Sequence, residues 1–494
     1  MAPRTRQLSD LGLTPRSGGD VAVGDLVLDS RKVGPGALFA ALPGTQHHGA
    51  DFVPTALDQG AAAILTDREG AALAADALAK AQAALVVVED ARAALAHAAA
   101  LWFERQPDVV VAVTGTNGKT SVASFTRQIW ALLGHEAVNI GTTGVEGAFA
   151  APGLHTTPDP LTLHRVLAQM AEAGVSHAAM EASSHGLDQR RMEAVRLAAA
   201  AFTNLTQDHL DYHGDMERYF QAKLRLFTEL LTEDGVAVVN LDDSYGPRVA
   251  DACARREIEV MGVGQYADDA ALKITGRRLD DTGQDVLFRW QGQPVQTRLS
   301  LIGGFQAMNV LTAAGLVIAA GEDPQAVFSV LPRLTGVRGR MQLAGRRANG
   351  APVFVDYAHT PDALETALRA LRPHVMGRLI VVFGAGGDRD RGKRPLMGQA
   401  AAQHADVVFV TDDNPRSEHP ADIRAAILQA CPEAAEVGDR AEAILRGVDA
   451  LEPGDALLIA GKGHETGQIV GDVVYPFDDV EQASVAIAAL EGRA

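Results

Sequence analysis

Cysteine is scarce in this chain, which carries only Cys253 and Cys431 among its 494 residues. Two cysteines cannot build a disulfide framework, and neither belongs to a Cys-x-x-Cys pair, so the cysteine pattern is typical of a reduced, intracellular protein. Long apolar runs are missing as well, and the first twenty residues contain no apolar core of signal-peptide length. We therefore expect a cytoplasmic protein with no membrane-inserted segment.

Positive charge is also in deficit, since 44 Lys and Arg stand against 62 Asp and Glu, for a net charge of −18 with His neutral. A chain this acidic lacks the positive field that attracts nucleic acids and anionic membranes, so it is a poor candidate for a general binder of either, and we expect no nucleic-acid partner. A local basic pocket for a small anion is still compatible with this balance. Hydrophobic residues make up 47% and charged residues 21%, which is ordinary for a globular protein and excludes wholesale disorder.

Short β-branched apolar runs alternate along the chain with Gly-, Asp- or Asn-rich turns and then with helical patterns. The predicted strands are 109–113, 177–180, 200–203, 236–239, 379–383, 407–410 and 457–460. This alternation predicts the α/β class, with mainly parallel sheets covered by helices on both faces. Breaks in the pattern at 104–108 and 334–339 predict three domains, at residues 1–107, 108–336 and 337–494.

The strongest motif is Thr-Gly-Thr-Asn-Gly-Lys-Thr-Ser at 114–121, between an apolar strand and a helical pattern. Consecutive backbone N–H groups and a helix N-terminus make a pocket for phosphate oxygens. Lys119 would add a charge near the phosphates, and Thr120 could reach Mg²⁺. Val113 stands where the strict Gly-x-x-x-x-Gly-Lys-Ser/Thr pattern has its first Gly, which points to a particular subfamily of nucleotide binders. The alternative is a Gly-rich turn that binds nothing.

Two further polar segments follow predicted strands in the middle of the chain. Glu181, in the segment 180–186, stands where a strand should end, and its carboxylate could hold Mg²⁺ or cap a helix. The segment 204–213 gathers Asp and His side chains that could likewise bind a metal or cap a helix. Lys223 lies in a helical pattern over 219–227, and on its own it is interpreted as a solvated surface lysine.

Two polar turns follow strands of the third predicted domain. In Val-Asp-Tyr-Ala-His-Thr-Pro at 355–361, Asp356 could accept hydrogen bonds from a ribose, although a strand-end turn with a buried Tyr is the plainer alternative. The glycine turn at 384–394 is loaded with Arg and Lys, and in an acidic chain this concentration indicates an anionic ligand such as a carboxylate. Its alternative is a solvated loop.

A third turn in the same region combines a carboxylate, an amide, a rigid proline and a guanidinium in Asp413-Asn414-Pro415-Arg416. These groups could recognise a zwitterionic amino acid, because Arg416 can take a carboxylate while Asp413 and Asn414 take an ammonium. An ordinary Asn-Pro turn is the alternative. The segment Gly-Lys-Gly-His-Glu at 461–465 supplies another flexible turn with a carboxylate.

Taken in order, the segments TGTNGKT, MEASSHGL, TNLTQDHLDYHGDMERY, VDYAHTPD, GAGGDRDRGKRPLM, DDNPR and GKGHE closely resemble the Mur ligase family. The resemblance covers almost the whole chain, including LDSR at 28–31, and it is strongest to the members that use meso-diaminopimelate, with which DNPR is associated. It implies an N-terminal α/β domain for the uridine nucleotide, a central parallel-sheet ATPase domain, and a C-terminal Rossmann-like domain for the incoming amino acid.

The resemblance also implies an activity, namely ATP-dependent amide ligation with Mg²⁺. ATP would phosphorylate the D-glutamate carboxylate of UDP-N-acetylmuramoyl-L-Ala-D-Glu, and the amine of meso-diaminopimelate would attack the acyl phosphate, releasing ADP and phosphate. That reaction belongs to cytoplasmic peptidoglycan precursor synthesis, and hence to cell-wall formation, cell shape and division. A monomer is expected.

Carried over residue by residue, the resemblance assigns roles to positions of this sequence. It gives Lys119, Lys223 and His209 catalytic roles, with Lys223 carbamylated by CO₂, and it implies that Thr120, Glu181, His209 and Lys223 hold Mg²⁺. The implied nucleotide contacts are Gly115, Thr116, Asn117, Gly118, Lys119, Thr120, Ser121, Asn309, Arg340 and Asp356. The implied uridine-nucleotide contacts are Leu28, Ser30, Thr45, Gln46 and His47, and those to the muramoyl peptide are Thr156, Thr157, Ser183, Gln189 and Arg191. The implied diaminopimelate contacts are Arg389, Asp413, Asn414, Pro415, Arg416, Gly461 and Glu465.

Two positions depart from the family pattern, and two other functions compete. Gln306 stands where the family commonly has Asn, and His155 precedes the Thr pair where other polar residues occur. One competing hypothesis is another acyl-phosphate ligase on the same scaffold, such as a folylpolyglutamate synthetase, in which LDSR and DNPR are unexpected. The other is a nucleotide-binding switch that performs no ligation, which would leave Lys223 and the acceptor-site arginines without a purpose.

Overall fold

The computed structural model describes residues 5–44, 47–151 and 155–492. Three main sheets follow one another along the chain, each flanked by helices, so the predicted three-domain α/β architecture with a central parallel sheet is confirmed. Within these residues no helix is both long enough and apolar enough to span a bilayer. The residue limits of the three domains stay predictions.

The N-terminal region holds a short antiparallel pair, β1–β2, and a four-stranded parallel sheet in the order β3-β4-β5-β6. Buried Ala, Leu, Ile and Val side chains make its strands apolar on both faces, as parallel strands covered by helices require. The strands are β1 Arg6–Gln7, β2 Ala22–Val23, β3 Asp25–Val27, β4 Ala37–Ala40, β5 Ala63–Thr66 and β6 Ala84–Val87, and the helices are α1 Val53–Asp58, α2 Arg68–Leu73, α3 Ala75–Leu78 and α4 Ala91–Phe103.

The central sheet has ten strands in the order β16-β15-β14-β13-β12-β11-β7-β10-β8-β9. The strands are β7 Val109–Thr114, β8 Ala137–Gly141, β9 Gly144–Gly147, β10 His177–Glu181, β11 Ala199–Phe202, β12 Val236–Asn240, β13 Glu259–Gly264, β14 Leu272–Asp280, β15 Gly283–Trp290 and β16 Gln293–Leu299. Strands β8, β10, β7, β11, β12, β13 and β14 run parallel, whereas β9 and the pair β15 and β16 join antiparallel.

Helices cover both faces of this sheet. They are α5 Lys119–Leu133, α6 Pro160–Glu172, α7 Ser184–Asp188, α8 Leu210–His213, α9 Met216–Arg225, α10 Gly246–Ala254, α11 Phe305–Ala319 and α12 Pro324–Val330. On one face α5 and α11 bury Phe125, Trp130 and Val310, and on the other α6 and α9 bury Leu163 and Phe220. The predicted helix at 219–227 ends at Arg225 and continues as one π-helical turn, Leu226–Leu230.

The C-terminal region has a six-stranded sheet in the order β17-β18-β22-β19-β20-β21, parallel except for β17, and a separate hairpin β23–β24. Its strands are β17 Gln342–Arg346, β18 Pro352–Asp356, β19 Leu379–Phe383, β20 Val407–Val410, β21 Ala435–Glu436, β22 Ala456–Ala460, β23 Gly467–Val470 and β24 Val473–Pro476. Its helices are α13 Pro361–Leu371, α14 Lys393–His404, α15 Pro420–Leu428, α16 Arg440–Asp449 and α17 Asp479–Leu490. Short 3₁₀ helices are Ser9–Leu11, Ser30–Lys32, Gly49–Phe52, Leu331–Arg333 and Arg372–His374.

The three regions meet around the carboxyl ends of the central strands. On the N-terminal side α4 packs against α6, and Arg190 Nε lies 2.9 Å from the Asp90 carboxylate. On the C-terminal side Asn117 Nδ2 donates to Asp362 Oδ2 at 3.2 Å. The carboxyl ends of parallel strands all lie on the same side of a sheet, so the polar turns predicted after the strands face a common cleft.

Candidate active site

A cleft of about 420 Å³ lies between the central sheet and the first loops of the C-terminal sheet. Its walls combine the predicted phosphate loop, the end of β10, the 204–213 segment and the turn after β18. The predicted site residues that line it are Thr116, Asn117, Gly118, Lys119, Thr120, Ser121, Thr156, Glu181, Ser183, His209, Lys223, Asn309, Arg340 and Asp356. The fold therefore brings segments from two domains into one cavity.

The phosphate loop runs from the end of β7 into the first turn of α5. Gly118 has a φ of +89°, and Gly115 lies so close to Thr203 that an added Cβ would sit 1.9 Å from its hydroxyl oxygen. Asn117 N donates to Asn204 Oδ1 at 2.9 Å, and the Thr116 hydroxyl lies 3.1 Å from the Tyr219 hydroxyl. The loop is thus fixed from outside, with the N-terminus of α5 open toward the cleft.

Lys119 is folded back onto this loop, where its Nζ donates to the carbonyls of Gly115 at 2.9 Å and Thr116 at 2.8 Å. Burial lowers the pKa of the Lys119 ammonium, while the nearby Glu181 carboxylate opposes that shift. A side chain that two carbonyls hold can exchange them for phosphate oxygens, which are stronger acceptors.

Glu181 ends β10 with its carboxylate buried in the cleft wall. Its oxygens accept from Thr120 Oγ1 at 3.1 Å and from Thr142 N at 2.9 Å. Gly141 makes the room for it, because a Cβ there would stand 2.0 Å from Glu181 Oε1. A carboxylate and a hydroxyl that converge in this way form an oxygen donor set suited to Mg²⁺ rather than a helix cap.

Lys223 is not a surface lysine, since its side chain is only 1% exposed. Its Nζ donates to Gly115 O at 2.7 Å and lies 4.6 Å from the centre of the Tyr219 ring. Desolvation, together with the charge of Lys119, holds the pKa of Lys223 well below its ordinary value. The interpretation from helical pattern alone was wrong, because burial here depends on a loop 108 residues away in sequence.

His209 stands at the N-terminus of α8 with a φ of +53° and makes no side-chain cap to that helix. Its Nε2 lies 3.4 Å from an oxygen of Asp208, and its ring meets that of His185 edge-on at 4.8 Å. Burial lowers the pKa of His209 to about 4, so the imidazole is neutral at pH 7. A neutral imidazole at the cleft wall can act as a metal ligand.

The five residues implied for the muramoyl peptide lie beside Glu181, and four of them share hydrogen bonds with one another. Thr157 Oγ1 accepts from Ser183 N and from Ser183 Oγ, each at 3.0 Å. Arg191 donates to Thr157 O and to Gln189 Oε1, each at 2.7 Å. The Thr156 hydroxyl lies 3.0 Å from that of Thr142, and thereby joins the group to the metal-ligand candidates.

The nucleotide contacts come from both sides of the cleft. Asn309 Nδ2 donates to Gln306 Oε1 at 3.2 Å. Gln306, which stands where the family commonly has Asn, is therefore the buried hydrogen-bond partner of Asn309. Arg340 Nη2 donates to Thr120 Oγ1 at 3.1 Å and stacks on the Tyr357 ring at 4.5 Å. The C-terminal region therefore supplies a cation directly to the phosphate loop.

The Asp356 carboxylate hydrogen-bonds the backbone of its own region, as the strand-end turn alternative expects, and its contact with a ribose stays a prediction. It accepts from Met341 N at 2.6 Å and Ala358 N at 2.8 Å, and burial raises its pKa. It lines the cleft, but its first role is to shape the turn after β18.

The acceptor-site residues form a second network at the end of the C-terminal sheet. Asn414 donates to Glu465 Oε2 at 2.8 Å and accepts from Lys462 Nζ at 3.0 Å. Lys462 also lies 3.3 Å from an oxygen of Asp413. Asp413 and Asn414 are therefore engaged by a buried lysine within the protein, in the manner that the sequence predicted for a ligand ammonium.

The backbone of this second network is held in uncommon conformations. Asn414 and Arg416 have φ values of +44° and +52°, and Arg416 Nη1 donates to Gly387 O at 2.8 Å. Gly461 has a φ of +122°, and a Cβ there would stand 2.3 Å from Asp413 Oδ2. The Pro415 carbonyl accepts from Glu418 N at 3.1 Å. Left-handed backbone at non-glycine residues is costly and concentrates at functional sites.

Arg389 has an exposed side chain, and its Nη1 lies 3.4 Å from Asp388 O. Beneath the network, Arg440 and Asp479 form an ion pair at 2.7 Å with both side chains buried, and Arg440 also donates to Ala460 O at 3.0 Å. That pair anchors the strand that leads into Gly461.

The residues implied for the uridine nucleotide lie in the N-terminal region, away from the cleft lining. Ser30 opens a 3₁₀ helix that Asp29 caps through Arg31 N at 3.1 Å, and Leu28 packs beside the core. His47 is exposed, with Nδ1 3.9 Å from an Asp51 oxygen. Thr45 and Gln46 lie outside the described residues.

Sequence reasoning missed several residues that hold the site together. Thr142 and Tyr219 position Glu181 and the phosphate loop, Lys462 organises the second network, and Lys393 Nζ donates to His359 O at 3.0 Å beside the cleft. Tyr219, Lys393 and Lys462 lie inside the quoted segments, and Lys393 also belongs to the cation-rich turn at 384–394. Thr142 follows a strand, as the recognised site residues do.

Comparison with known proteins agrees with this arrangement over the whole chain. The Mur ligase family catalytic domain matches residues 24–103, the Mur ligase middle domain 113–317, and the Mur ligase glutamate ligase domain 339–463. A UDP-N-acetylmuramoyl-L-alanyl-D-glutamate–2,6-diaminopimelate ligase of Caulobacter vibrioides is 51% identical over 99% of both chains, and one of Bradyrhizobium diazoefficiens is 50% identical over 94% of both.

Solved structures show the same relationship. A structure titled as a UDP-N-acetylmuramoyl-L-alanyl-D-glutamate–2,6-diaminopimelate ligase superposes with a TM-score of 0.72 at 34% identity, covering 99% of this chain and 100% of that one. A Mycobacterium tuberculosis folylpolyglutamate synthase complexed with ADP and AMPPCP gives a TM-score of 0.60 at 20% identity, covering 79% of this chain and 92% of that one, and shares the fold.

Proposed function

The chain belongs to the Mur ligase family, and we propose that it is the ATP-dependent, ADP-forming ligase that joins meso-diaminopimelate to the D-glutamate of UDP-N-acetylmuramoyl-L-Ala-D-Glu. The product is a peptidoglycan precursor, so the enzyme serves cell-wall formation, and with it cell shape and division, from the cytoplasm. A monomeric state belongs to the same proposal.

One observation carries this proposal, which is the position of Glu181 between two groups of residues. Its carboxylate accepts from Thr120 of the phosphate loop and from Thr142, whose hydroxyl contacts Thr156 of the muramoyl-peptide network. The transferable phosphate of ATP and the substrate carboxylate are therefore expected to meet at Glu181. Relatives at about half identity that share the name of this ligase support the same assignment.

The chemistry follows from the weakness of a carboxylate as an electrophile. Its charge is delocalised and its leaving group would be oxide, whereas an acyl phosphate has a good leaving group. Lys119 and the amides of the loop stabilise the charge that develops on the transferring phosphoryl group, and Arg340 adds a second cation from the opposite wall. Arg191 and Ser183 orient the substrate carboxylate for in-line attack.

The oxygen donors of the cleft fit a hard cation. Buried Glu181 and Thr120, with His209 at the wall, would hold Mg²⁺, which when bound neutralises charge on the phosphates. Lys223 has no carboxylate of its own within hydrogen-bonding reach among the described residues, and burial beside Lys119 lowers its pKa, which raises the share of neutral amine. A neutral amine adds CO₂, so we propose that Lys223 is carbamylated and becomes an anionic oxygen ligand.

The carbamate can be tested without an activity assay. Protein equilibrated with ¹³C-labelled bicarbonate should show one carbamate carbon resonance by NMR, and Lys223→Gln should lack it. Lys273→Gln is the matched control, since this partly exposed lysine pairs with Asp268 at 2.6 Å and should keep the resonance. A wild-type spectrum without the signal would contradict carbamylation.

We assign the second network to the incoming amino acid. Arg389 and Arg416 bind the carboxylates of meso-diaminopimelate. Asp413, Asn414 and Glu465 accept hydrogen bonds from its distal ammonium. Pro415 and Gly461 shape the loops that carry these side chains. The N-terminal domain, 1–107, binds the uridine nucleotide through Leu28, Ser30 and the 45–47 loop. The central domain, 108–336, binds ATP, and the domain at 337–494 delivers the amine.

A paired assay tests the function. ATP-dependent coupling of UDP-N-acetylmuramoyl-L-Ala-D-Glu is measured with meso-diaminopimelate and with L-lysine in parallel, with ADP release in the absence of an amino acid as the control. We expect turnover with diaminopimelate and a strong preference for it. Equal rates, or a preference for lysine, would defeat the specificity claim. Absence of saturable UDP-sugar-peptide binding would instead favour a ligase of the folylpolyglutamate kind.

A further inference from the structure

A cluster of three potential metal ligands lies at the amino-terminal ends of the central strands, opposite the ends that face the ATP cleft. It consists of His135, His177 and Glu322, whose ligand atoms all lie within 4.8 Å of one another. His177 begins β10 and Glu181 ends it. At about 3.3 Å per residue along a strand, the cluster is therefore roughly 13 Å from the proposed Mg²⁺ site.

The geometry of the cluster suits a small cation. His135 Nε2 stands 2.7 Å from Glu322 Oε1, and the two imidazole centroids are 4.2 Å apart. A tetrahedral ion with bonds near 2.0 Å would place neighbouring ligand atoms roughly 3.3 Å apart, which lies between the 2.7 Å from His135 Nε2 to Glu322 Oε1 and the 4.8 Å that bounds all the ligand atoms. Ser176 Oγ, 2.8 Å from His177 Nδ1, fixes the orientation of that ring. The side chains of His135 and Glu322 are 31% and 24% exposed, so an ion can enter from solvent.

The local sequence places the negative ends of two helices at the same spot. Gly134, at a φ of +98°, ends α5, and the following His135 N–H donates to Trp130 O at 3.0 Å. Gly321, at a φ of +108°, follows α11, and the next N–H, of Glu322, donates to Val317 O at 3.3 Å. Both helices have 15 residues. Their last carbonyls carry partial negative charge, which favours a cation at this position.

We propose that His135, His177 and Glu322 bind a divalent d-block cation, with Zn²⁺ as the best fit, at a site separate from the Mg²⁺ of the active site. Two imidazoles and one carboxylate with a fourth position open to water form a zinc-type ligand set, whereas Mg²⁺ prefers oxygen alone. Burial and the neighbouring His135 lower the pKa of His177, while Glu322 and Asp108 oppose that shift.

A bound ion would act on the active site through the two helices that it joins. Lys119 begins α5 and Asn309 lies in the first turns of α11, so both helices reach the ATP cleft at their other ends. A cation that links their C-termini would fix the relative position of these two residues. The site is thus a clamp on the scaffold of the cleft and not a participant in the chemistry.

Cobalt is the probe for this site, because tetrahedral Co²⁺ with nitrogen and oxygen ligands absorbs visible light. Chelator-treated full-length protein in excess Mg²⁺, which fills the oxygen sites, is titrated with Co²⁺ and then with Zn²⁺. We expect one equivalent of absorbing Co²⁺ that Zn²⁺ displaces, and loss of that band in His135→Gln and in Glu322→Gln. His404→Gln is the matched control, since His404 pairs with Glu365 at 3.5 Å outside the cluster, and it should keep the band.

The result that overturns the proposal is equally direct. Absence of the band from wild type, or its retention in either cluster variant, would exclude the site. Hydrogen exchange on unmodified protein gives a readout that does not depend on how the variants fold. Zn²⁺ should slow amide exchange in residues 131–136 and 318–323, and protection confined to the histidines of the ATP cleft, or no protection, would contradict the assignment.

Discussion

The two functional networks of this protein hold their cations in opposite ways. In the ATP cleft, Lys119 donates to the carbonyls of Gly115 and Thr116, and within the described residues it has no carboxylate at ion-pair distance. In the C-terminal network, Lys462 lies 3.3 Å from Asp413 and the Asn414 amide is bonded to Glu465. Lys119 thus keeps an unneutralised positive charge, whereas Lys462 is already paired with a carboxylate.

That difference shows how each region meets its ligand. A lysine ammonium forms stronger hydrogen bonds with phosphate oxygens than with neutral carbonyls, so the ATP cleft is organised for an incoming anion. In the C-terminal network Lys462 already engages Asp413 and Asn414, so the ammonium of an amino acid has to share these acceptors with it, and the carboxylates of the amino acid are left to Arg389 and Arg416. We therefore expect changes in the first region to lower turnover and changes in the second to weaken amino-acid binding.

The largest effect is expected from Lys119→Ala. Removing a cation that contacts the transferring phosphoryl group should cost about 3 kcal/mol of transition-state stabilisation, or roughly a hundredfold in kcat. The measurement is ADP release with both co-substrates saturating, with Lys273→Ala as the surface control. Near-full turnover in the Lys119 variant would show that Lys119 does not stabilise the transferring phosphoryl group.

A smaller and different effect is expected from Arg416→Ala. Loss of charge-assisted hydrogen bonds to a substrate carboxylate should cost about 2 kcal/mol, which raises the KM for meso-diaminopimelate some thirtyfold and leaves the KM for ATP unchanged. Arg369→Ala is the control, because this exposed arginine of α13 pairs with Glu365 at 3.2 Å, away from the network. If the KM for ATP rises instead, the assignment of Arg416 to the amino acid is wrong.

The sequence predicted the features that depend on local pattern. The phosphate loop and Glu181 were identifiable because each comes at the end of a short apolar run that predicts a strand. Strand limits were accurate to one residue, as at Ala199–Phe202 against the predicted 200–203. The antiparallel extension at 272–299 was not predicted. Its strands alternate charged and apolar side chains, whereas the predicted strands were continuous apolar runs.

Features that depend on distant packing were not predictable from pattern alone. Lys223 is buried by a loop 108 residues away, and a helical pattern carries no information about that contact. Lys462 meets Asn414 across 48 residues, so its place in the acceptor network depended on how β22 and β20 are aligned. The resemblance to a family corrected the first of these and missed the second, because it transferred only the positions with assigned roles.

The central claim is that ATP activates the D-glutamate carboxylate of the UDP-sugar peptide before the amine attacks. UDP-N-acetylmuramoyl-L-Ala-D-Glu labelled with ¹⁸O in that carboxylate, incubated with ATP and meso-diaminopimelate, tests it most directly. One labelled oxygen per turnover should appear in the released inorganic phosphate. Inorganic phosphate free of the label, formed alongside the amide product, would contradict it.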